Sequence, residues 1–339
     1  MVPIADLLAG GGLDELNFYF APQAVLFTAL KLGIFEALAG GALDAGALAA
    51  ATGNSQRGAA MLLDCMASMG LLDKAGSAYA LNDLARCHFL RSGENYLGSL
   101  FIRSDQLLKL WLGLPEAVKT GRPVLPDLPE RDRERLNLDI VEALFHVHKA
   151  AAWKLAALFQ PELPSGPDEI QILDVAAGSA VWSLPFALQS PRARVTAVDF
   201  TPVLELAKRF AGEFGVSDRY AYIAGDIGTM EWRAEAYDLA LLGHICHSEG
   251  AAGTRRLLEK CLRALKKNGK LLILDYFPDE ERKSALMPLL LALNALLGTA
   301  EGDTFTVSEY RRWLSAAGFR EIRVLGDAER APAILAVKG

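Results

Sequence analysis

From residue 169 onward, apolar runs rich in Val, Ile and Leu alternate with stretches of helical periodicity. This alternation constrains the fold more than any other feature. A strand–helix–strand repeat makes neighbouring strands parallel and covers both faces of the sheet. Strands are expected at 171–176, 194–200, 220–224, 237–244 and 270–277, with helices at about 182–189, 202–214 and 253–265. A helix at 308–317 and strands at 321–325 and 333–337 complete the tail. The expected fold class is α/β, a mostly parallel seven-stranded sheet preceded by a mainly α N-terminal domain.

That N-terminal part has a different texture. Apolar positions recur at helical spacing over 21–38 (Val25, Leu26, Ala29, Leu32, Phe35), and helices at 43–52 and 57–69 flank a break at Gly53, Asn54 and Ser55. Two short apolar runs around Gly76 then read as a hairpin, so the elements follow in winged-helix order. The stretch 121–130 carries Pro123, Pro126 and Pro129 and reads as a linker. A long helix at 131–159 ends before Pro161, Pro164 and Pro167. The division expected is 1–120, a helical and winged-helix domain; 121–165, a linker and long connecting helix; and 166–339, the sheet domain.

Composition narrows the function classes. Lys and Arg number 35 against 41 Asp and Glu, a net charge of −6, and residues 1–100 hold five basic and nine acidic side chains. Docking on phosphate needs the opposite balance, which argues against nucleic acid as a partner and against a winged-helix transcriptional regulator. Cys65, Cys87, Cys246 and Cys261 form no C-x-x-C pair, so neither a disulfide scaffold nor a thiolate zinc site is expected. The N-terminal residues lack a basic segment before an apolar core. The longest apolar run, 285–298, falls short of the roughly 20 residues of a membrane span and contains Pro288 and Asn294. A soluble, cytoplasmic protein with no membrane partner is expected.

In an open α/β sheet, ligands bind beyond the carboxyl ends of the strands. Three successive strand ends here carry Asp174, Asp199 and Asp226. After Asp174 come Ala176, Ala177, Gly178, Ser179 and Ala180, small residues that let a ligand approach the backbone. This is not G-x-G-x-x-G. Asp199, 25 residues beyond Asp174, can accept both hydroxyls of a ribose. Asp226 can accept from an adenine amino group with Ile227 against the ring. Each acid alone could simply cap the next helix; the series points to adenosine binding. The fourth strand end offers His244 and His247. They are three residues apart, but the sequence shows no third ligand, and no metal is expected.

These motifs, with Lys31 to Phe35, Gly70 to Leu72 and Tyr79 to Asn82, resemble the class I S-adenosylmethionine-dependent small-molecule O-methyltransferases. The resemblance is to the caffeic-acid, hydroxyindole and bacterial polyketide-tailoring type, over roughly residues 18–339. It implies a winged-helix dimerisation domain, a Rossmann-like domain, S-adenosyl-L-methionine as cofactor and a small, aromatic hydroxyl acceptor. It assigns Asp174, Ala176 and Gly178 to the methionine end of the cofactor, Asp199 and Phe200 to the ribose side, Asp226 and Ile227 to adenine, and Gly243 and His244 to the cofactor side of the last turn. His247, in Ile245-Cys246-His247, becomes the general base, oriented by Asp275. Phe145 and His148 on the long helix, and Met287 and Asn294 on the 287–297 helix, become acceptor-pocket residues. Two departures stand out: Ala180 replaces the usual glycine, and Thr304 stands where relatives carry a second acidic partner. The alternative is the same fold used for C- or N-methylation, or for cofactor-assisted chemistry without methyl transfer.

Overall fold

Gly33 interrupts the first apolar run. Its φ of +67° is a left-handed conformation that suits glycine, and it separates helix α1 (Ala21–Lys31) from the single turn Ile34–Ala37. The expected continuous helix at 21–38 is therefore two pieces. The computed structural model describes residues 17–102, 104–124, 130–283, 285–326 and 332–339. The N-terminal segment and Pro126 and Pro129 of the expected linker lie outside the described residues.

Contacts group the chain into two units, Met1–Lys109 and Leu110–Gly339. The long helix belongs to the second unit, whereas the sequence reading gives it a connecting segment of its own. In the first unit, strand β1 (Leu43–Asp44) leads into helix α2 (Ala45–Thr52), and helix α3 (Gln56–Ser68) follows. Residue 43 thus begins a strand rather than a helix. Asp44 caps α2 by accepting from the Ala47 N–H at 2.8 Å, and Ser55 caps α3 by accepting from Gly58 at 3.1 Å. Strands β2 (Leu72–Ala75) and β3 (Ala78–Leu81) form the expected hairpin, with β1 on the far side of β3. Leu30, Ile34, Phe35, Leu48, Leu63 and Met66 fill the core beneath.

In the second unit a short helix, Leu114–Thr120, precedes the long helix α4 (Glu130–Phe159). Strand β4 (Ile170–Val175), helix α5 (Leu184–Gln189), strand β5 (Ala193–Asp199), helix α6 (Thr201–Glu213), strand β6 (Tyr220–Ala224) and strand β7 (Tyr237–Gly243) then alternate. Helix α7 (Cys246–Ala264), strand β8 (Leu265–Leu274), helix α8 (Leu286–Gly298), helix α9 (Val307–Ala317), strand β9 (Phe319–Leu325) and strand β10 (Ala333–Lys338) complete it. The seven strands lie in the order β6-β5-β4-β7-β8-β10-β9. β4 to β8 are mutually parallel; β10 runs antiparallel to both neighbours.

Period-two alternation divides the core into two layers. Ile172, Leu239, Leu241, Leu272 and Leu335 face the layer that holds Phe145, Phe159 and Phe186. Leu173, Val175, Ala240, Leu242 and Ile273 face the layer with Leu257, Cys261 and Tyr310. Fully burying one such side chain stabilises the fold by about 1.5–3 kcal/mol, so both helical layers are held by apolar contact rather than by surface ion pairs. Chain order reverses at β4, which has β5 on one side and β7 on the other, and this is where a crevice opens in such sheets. Among the described residues, no helix is long and apolar enough to cross a membrane.

Candidate active site

The turn after β4 is left-handed at every second residue: φ is 54° at Ala176, 56° at Gly178 and 59° at Ala180. Two of the three are alanines, for which this region is costly. The Asp199 carboxylate secures the turn. Its Oδ2 accepts from the Gly178 N–H at 2.9 Å while Oδ1 accepts from Phe200 N–H at 2.8 Å. Burial raises its pKa, and those two N–H donors pull the other way.

Asp174 lies beneath this turn and is only 1% exposed. Its Oδ2 is buried without a hydrogen-bond partner. Desolvation pushes its carboxyl up to about 7, against the opposing pull of the Ser183 hydroxyl. A buried, unpaired carboxylate oxygen is expensive in the free protein and suits a cationic ligand group.

At the end of β6, Asp226 is exposed and folds its own turn, with Oδ1 accepting from Gly228 N–H at 2.8 Å. Ile227 is buried, and its carbonyl accepts from Lys260 Nζ at 2.5 Å. Lys260 also sits 4.7 Å from the centre of the Trp232 ring. Sequence reasoning missed Lys260. The available signal was a single lysine inside the apolar stripe Leu257, Leu258, Cys261 and Ala264.

The β7 end carries the histidines. Gly243 is required there: an added Cβ would fall 2.3 Å from Trp182 Cδ1. His244 follows with φ 56° and donates its N–H to the Leu274 carbonyl at 2.8 Å. Its ring stacks on His148 at 4.4 Å and lies 5.6 Å from Trp182 and 5.0 Å from Tyr276. His148 is buried, and desolvation takes it down to about 3, so it is neutral at physiological pH.

Asp275 grips His247 twice. Oδ2 accepts from the His247 backbone N–H at 3.1 Å, and Oδ1 from ring Nδ1 at 2.9 Å. With Nδ1 donating to a carboxylate, Nε2 of neutral His247 is the nitrogen that accepts. Burial alone would lower the His247 pKa, but the Asp275 charge and hydrogen bond outweigh it and hold it above its ordinary value. Burial works to raise Asp275; His247 and His244 prevail and keep it far below the usual carboxylate range. His244 Nδ1 lies 3.7 Å from the same Oδ1, so both histidines face one carboxylate. The sequence offers no third metal ligand beside His244 and His247; the fold brings Asp275 to them.

The expected pocket residues have different surroundings. Phe145 is 2% exposed and stacks on Phe210 at 3.8 Å, so the core takes the ring expected at the pocket. Met287 is exposed and Asn294 half-buried on α8. Thr304 does not replace the second acid: its hydroxyl donates to the Pro288 carbonyl at 3.1 Å. The neighbouring Asp303 donates its backbone N–H to the His247 carbonyl at 2.9 Å, and its carboxylate accepts from Arg282 at 2.9 Å.

The parallel strands thus carry an acid at three successive ends and a carboxylate-held histidine at the fourth. Residues 168–320 match the O-methyltransferase domain family and residues 14–91 the O-methyltransferase dimerisation domain family. The chain is 30% identical over 335 residues to the tetracenomycin polyketide synthesis 8-O-methyl transferase of Streptomyces glaucescens, covering 95% of each. It is likewise 30% identical to the 3-hydroxy-5-methyl-1-naphthoate 3-O-methyltransferase of Streptomyces sahachiroi, with 88% of this chain and 86% of that one aligned. The structure of human N-acetylserotonin methyltransferase in complex with S-adenosylmethionine superposes with a TM-score of 0.84 at 26% identity over 98% of both chains. The chain belongs to the class I S-adenosylmethionine-dependent small-molecule O-methyltransferases. It is an enzyme that uses S-adenosyl-L-methionine and acts on a small hydroxylated molecule.

Proposed function

We propose that this enzyme methylates a hydroxyl on an aromatic acceptor, with His247 as general base and Asp275 as the group that orients it. The two-point grip of Asp275 on His247 carries the reading. It fixes the tautomer, aims Nε2 as acceptor and supports the imidazolium that forms when the acceptor loses its proton. The bound cofactor supplies an electrophilic methyl on a cationic sulfonium. The protein's share is to hold the acceptor oxygen in line and remove its proton.

The cofactor assignments fit the residues present. The unpaired Asp174 oxygen suits the ammonium of the methionine end, with Ala176 and Gly178 leaving the backbone open. Asp199 keeps lone pairs for a ribose diol beside Phe200; Asp226 and Ile227 serve adenine, and Gly243 and His244 close the far side. His148, Met287 and Asn294 remain candidates for the acceptor pocket. Both relatives named above from Streptomyces act on fused-ring or polyketide hydroxyls by their names, which supports an aromatic acceptor. Pairing of two copies through the N-terminal unit is part of the same proposal.

His247→Ala should lower kcat by at least about 100-fold and leave S-adenosylhomocysteine affinity within about twofold. Steady-state kinetics with binding calorimetry reads both. Undiminished turnover would remove His247 from the chemistry.

A further inference from the structure

The carboxyl ends of β7 and β8 hold more ligand chemistry than one acid–base pair uses. His244, His247 and Asp275 each present one donor atom, all within 4.8 Å of one another. His247 Nδ1 is 2.9 Å and His244 Nδ1 3.7 Å from Asp275 Oδ1. A zinc-type ion binds nitrogen and oxygen at about 2.0–2.2 Å, which sets two tetrahedral ligands about 3.3 Å apart. The two nitrogen–oxygen spacings straddle that value, and the two imidazole nitrogens, within 4.8 Å of each other, must draw together around a bound ion. Two imidazoles and a carboxylate favour Zn²⁺ or Co²⁺ over Mg²⁺, and three protein ligands leave a fourth position open.

The backbone is set for this convergence. His244 occupies a left-handed conformation, one that histidine adopts more readily than most side-chain-bearing residues, and its ring is held against His148 and Trp182. The base needs only His247 and Asp275; His244 brings a third ligand atom beside Asp275 Oδ1, which also accepts from the Tyr276 N–H at 2.9 Å.

We propose that His244, His247 and Asp275 form a binding site for a zinc-type divalent cation, and that the bound ion switches the base off. The switch rests on His247 being the base. A neutral imidazole that gives its Nδ1 lone pair to a metal carries its proton on Nε2. The Nδ1 proton of His247 therefore moves to Nε2, which becomes a donor and cannot take the acceptor's proton. The ion also occupies the Asp275 oxygen that orients the ring.

The test titrates Co²⁺ into the metal-free full-length protein and follows the visible absorption of tetrahedral cobalt, with Zn²⁺ as competitor. One ion per chain is expected. His244→Phe, which keeps a ring in the stack, should weaken Co²⁺ at least tenfold, and Zn²⁺ should raise the melting temperature of the wild type but not of this variant. Equal affinity in wild type and His244→Phe overturns the site, without reference to turnover. In the second arm, Zn²⁺ should inhibit methyl transfer reversibly by chelator, with His244→Phe needing at least tenfold more for half-inhibition. Cobalt bound at the trio with turnover intact overturns the switch. Failure of the base reading itself is read separately, from His247→Ala in metal-free buffer.

Discussion

Asp174 shows how one buried atom shapes cofactor binding. Burial pushes its carboxyl up to about 7, so the folded protein without ligand prefers it protonated. The stability this group contributes is full below its ordinary value near 4 and is lost as pH rises through about 7. A ligand ammonium reverses the preference, because it pairs with the charged form. S-adenosylhomocysteine should therefore bind about tenfold more weakly at about pH 6 than at about pH 8, and the affinity should level off above pH 7. Calorimetry at the two pH values measures this, and Asp174→Asn should flatten the profile. A flat wild-type profile would take the ammonium away from Asp174. At this scale the sequence was informative where chemistry follows chain order, as with the acid at each strand end and the pair His247 and Asp275. It was silent on lateral contacts. Trp182 against Gly243, His244 sharing Asp275, and Phe145 turning into the core depend on how layers stack, which no local pattern encodes.

Among the elements, the least legible boundaries are those where glycine does something other than end a segment. The helix expected from residue 253 begins at Cys246 and bends at Gly250, where φ is 65° and ψ 178°. The strand expected at 270–277 is Leu265–Leu274, so Asn268 and Gly269 sit within β8, with Asn268 left-handed at φ 61° and the register against β7 shifting between Tyr237 and Leu239. Gly250 matters for the site because the loop after α8 packs on it. An added Cβ would lie 2.4 Å from the Glu301 carbonyl oxygen, and one at Gly302 would lie 2.7 Å from the His247 carbonyl oxygen. These glycines let the loop close on the turn that bears the histidine. Gly250→Ala combines a forbidden backbone with that collision, and should cost at least about 2 kcal/mol and lower the melting temperature by about 4 °C or more. It should also reduce kcat more than S-adenosylhomocysteine affinity, since the displaced segment holds His247. Calorimetric melting and kinetics check the two effects. An unchanged melting temperature would mean that the loop yields without strain.

For the whole molecule, charge and apolar content acquire a joint meaning. A net charge of −6 goes with 52% hydrophobic residues, a chain with apolar surface to cover. Part of that surface lies on the N-terminal unit. Phe18, Tyr19, Phe20, Leu32 and Met61 are exposed there. A groove of about 470 Å³ is lined by Val25, Thr28, Leu32, Met61, Leu62 and Cys65. Exposed apolar groups gathered in this way mark association surfaces, and residues 14–91 match the dimerisation family. Sedimentation velocity at micromolar concentration should therefore give a species of about twice the 36.6 kDa chain mass. Placing charge in the groove with Leu32→Asp and Met61→Asp together should weaken association at least about 100-fold, because two desolvated carboxylates facing apolar surface oppose docking strongly. The variant must keep the wild-type far-ultraviolet circular dichroism, so that loss of pairing is not loss of fold. A wild type that sediments as a monomer would refute pairing through this surface, and a dimeric double variant would move the contact elsewhere on the chain.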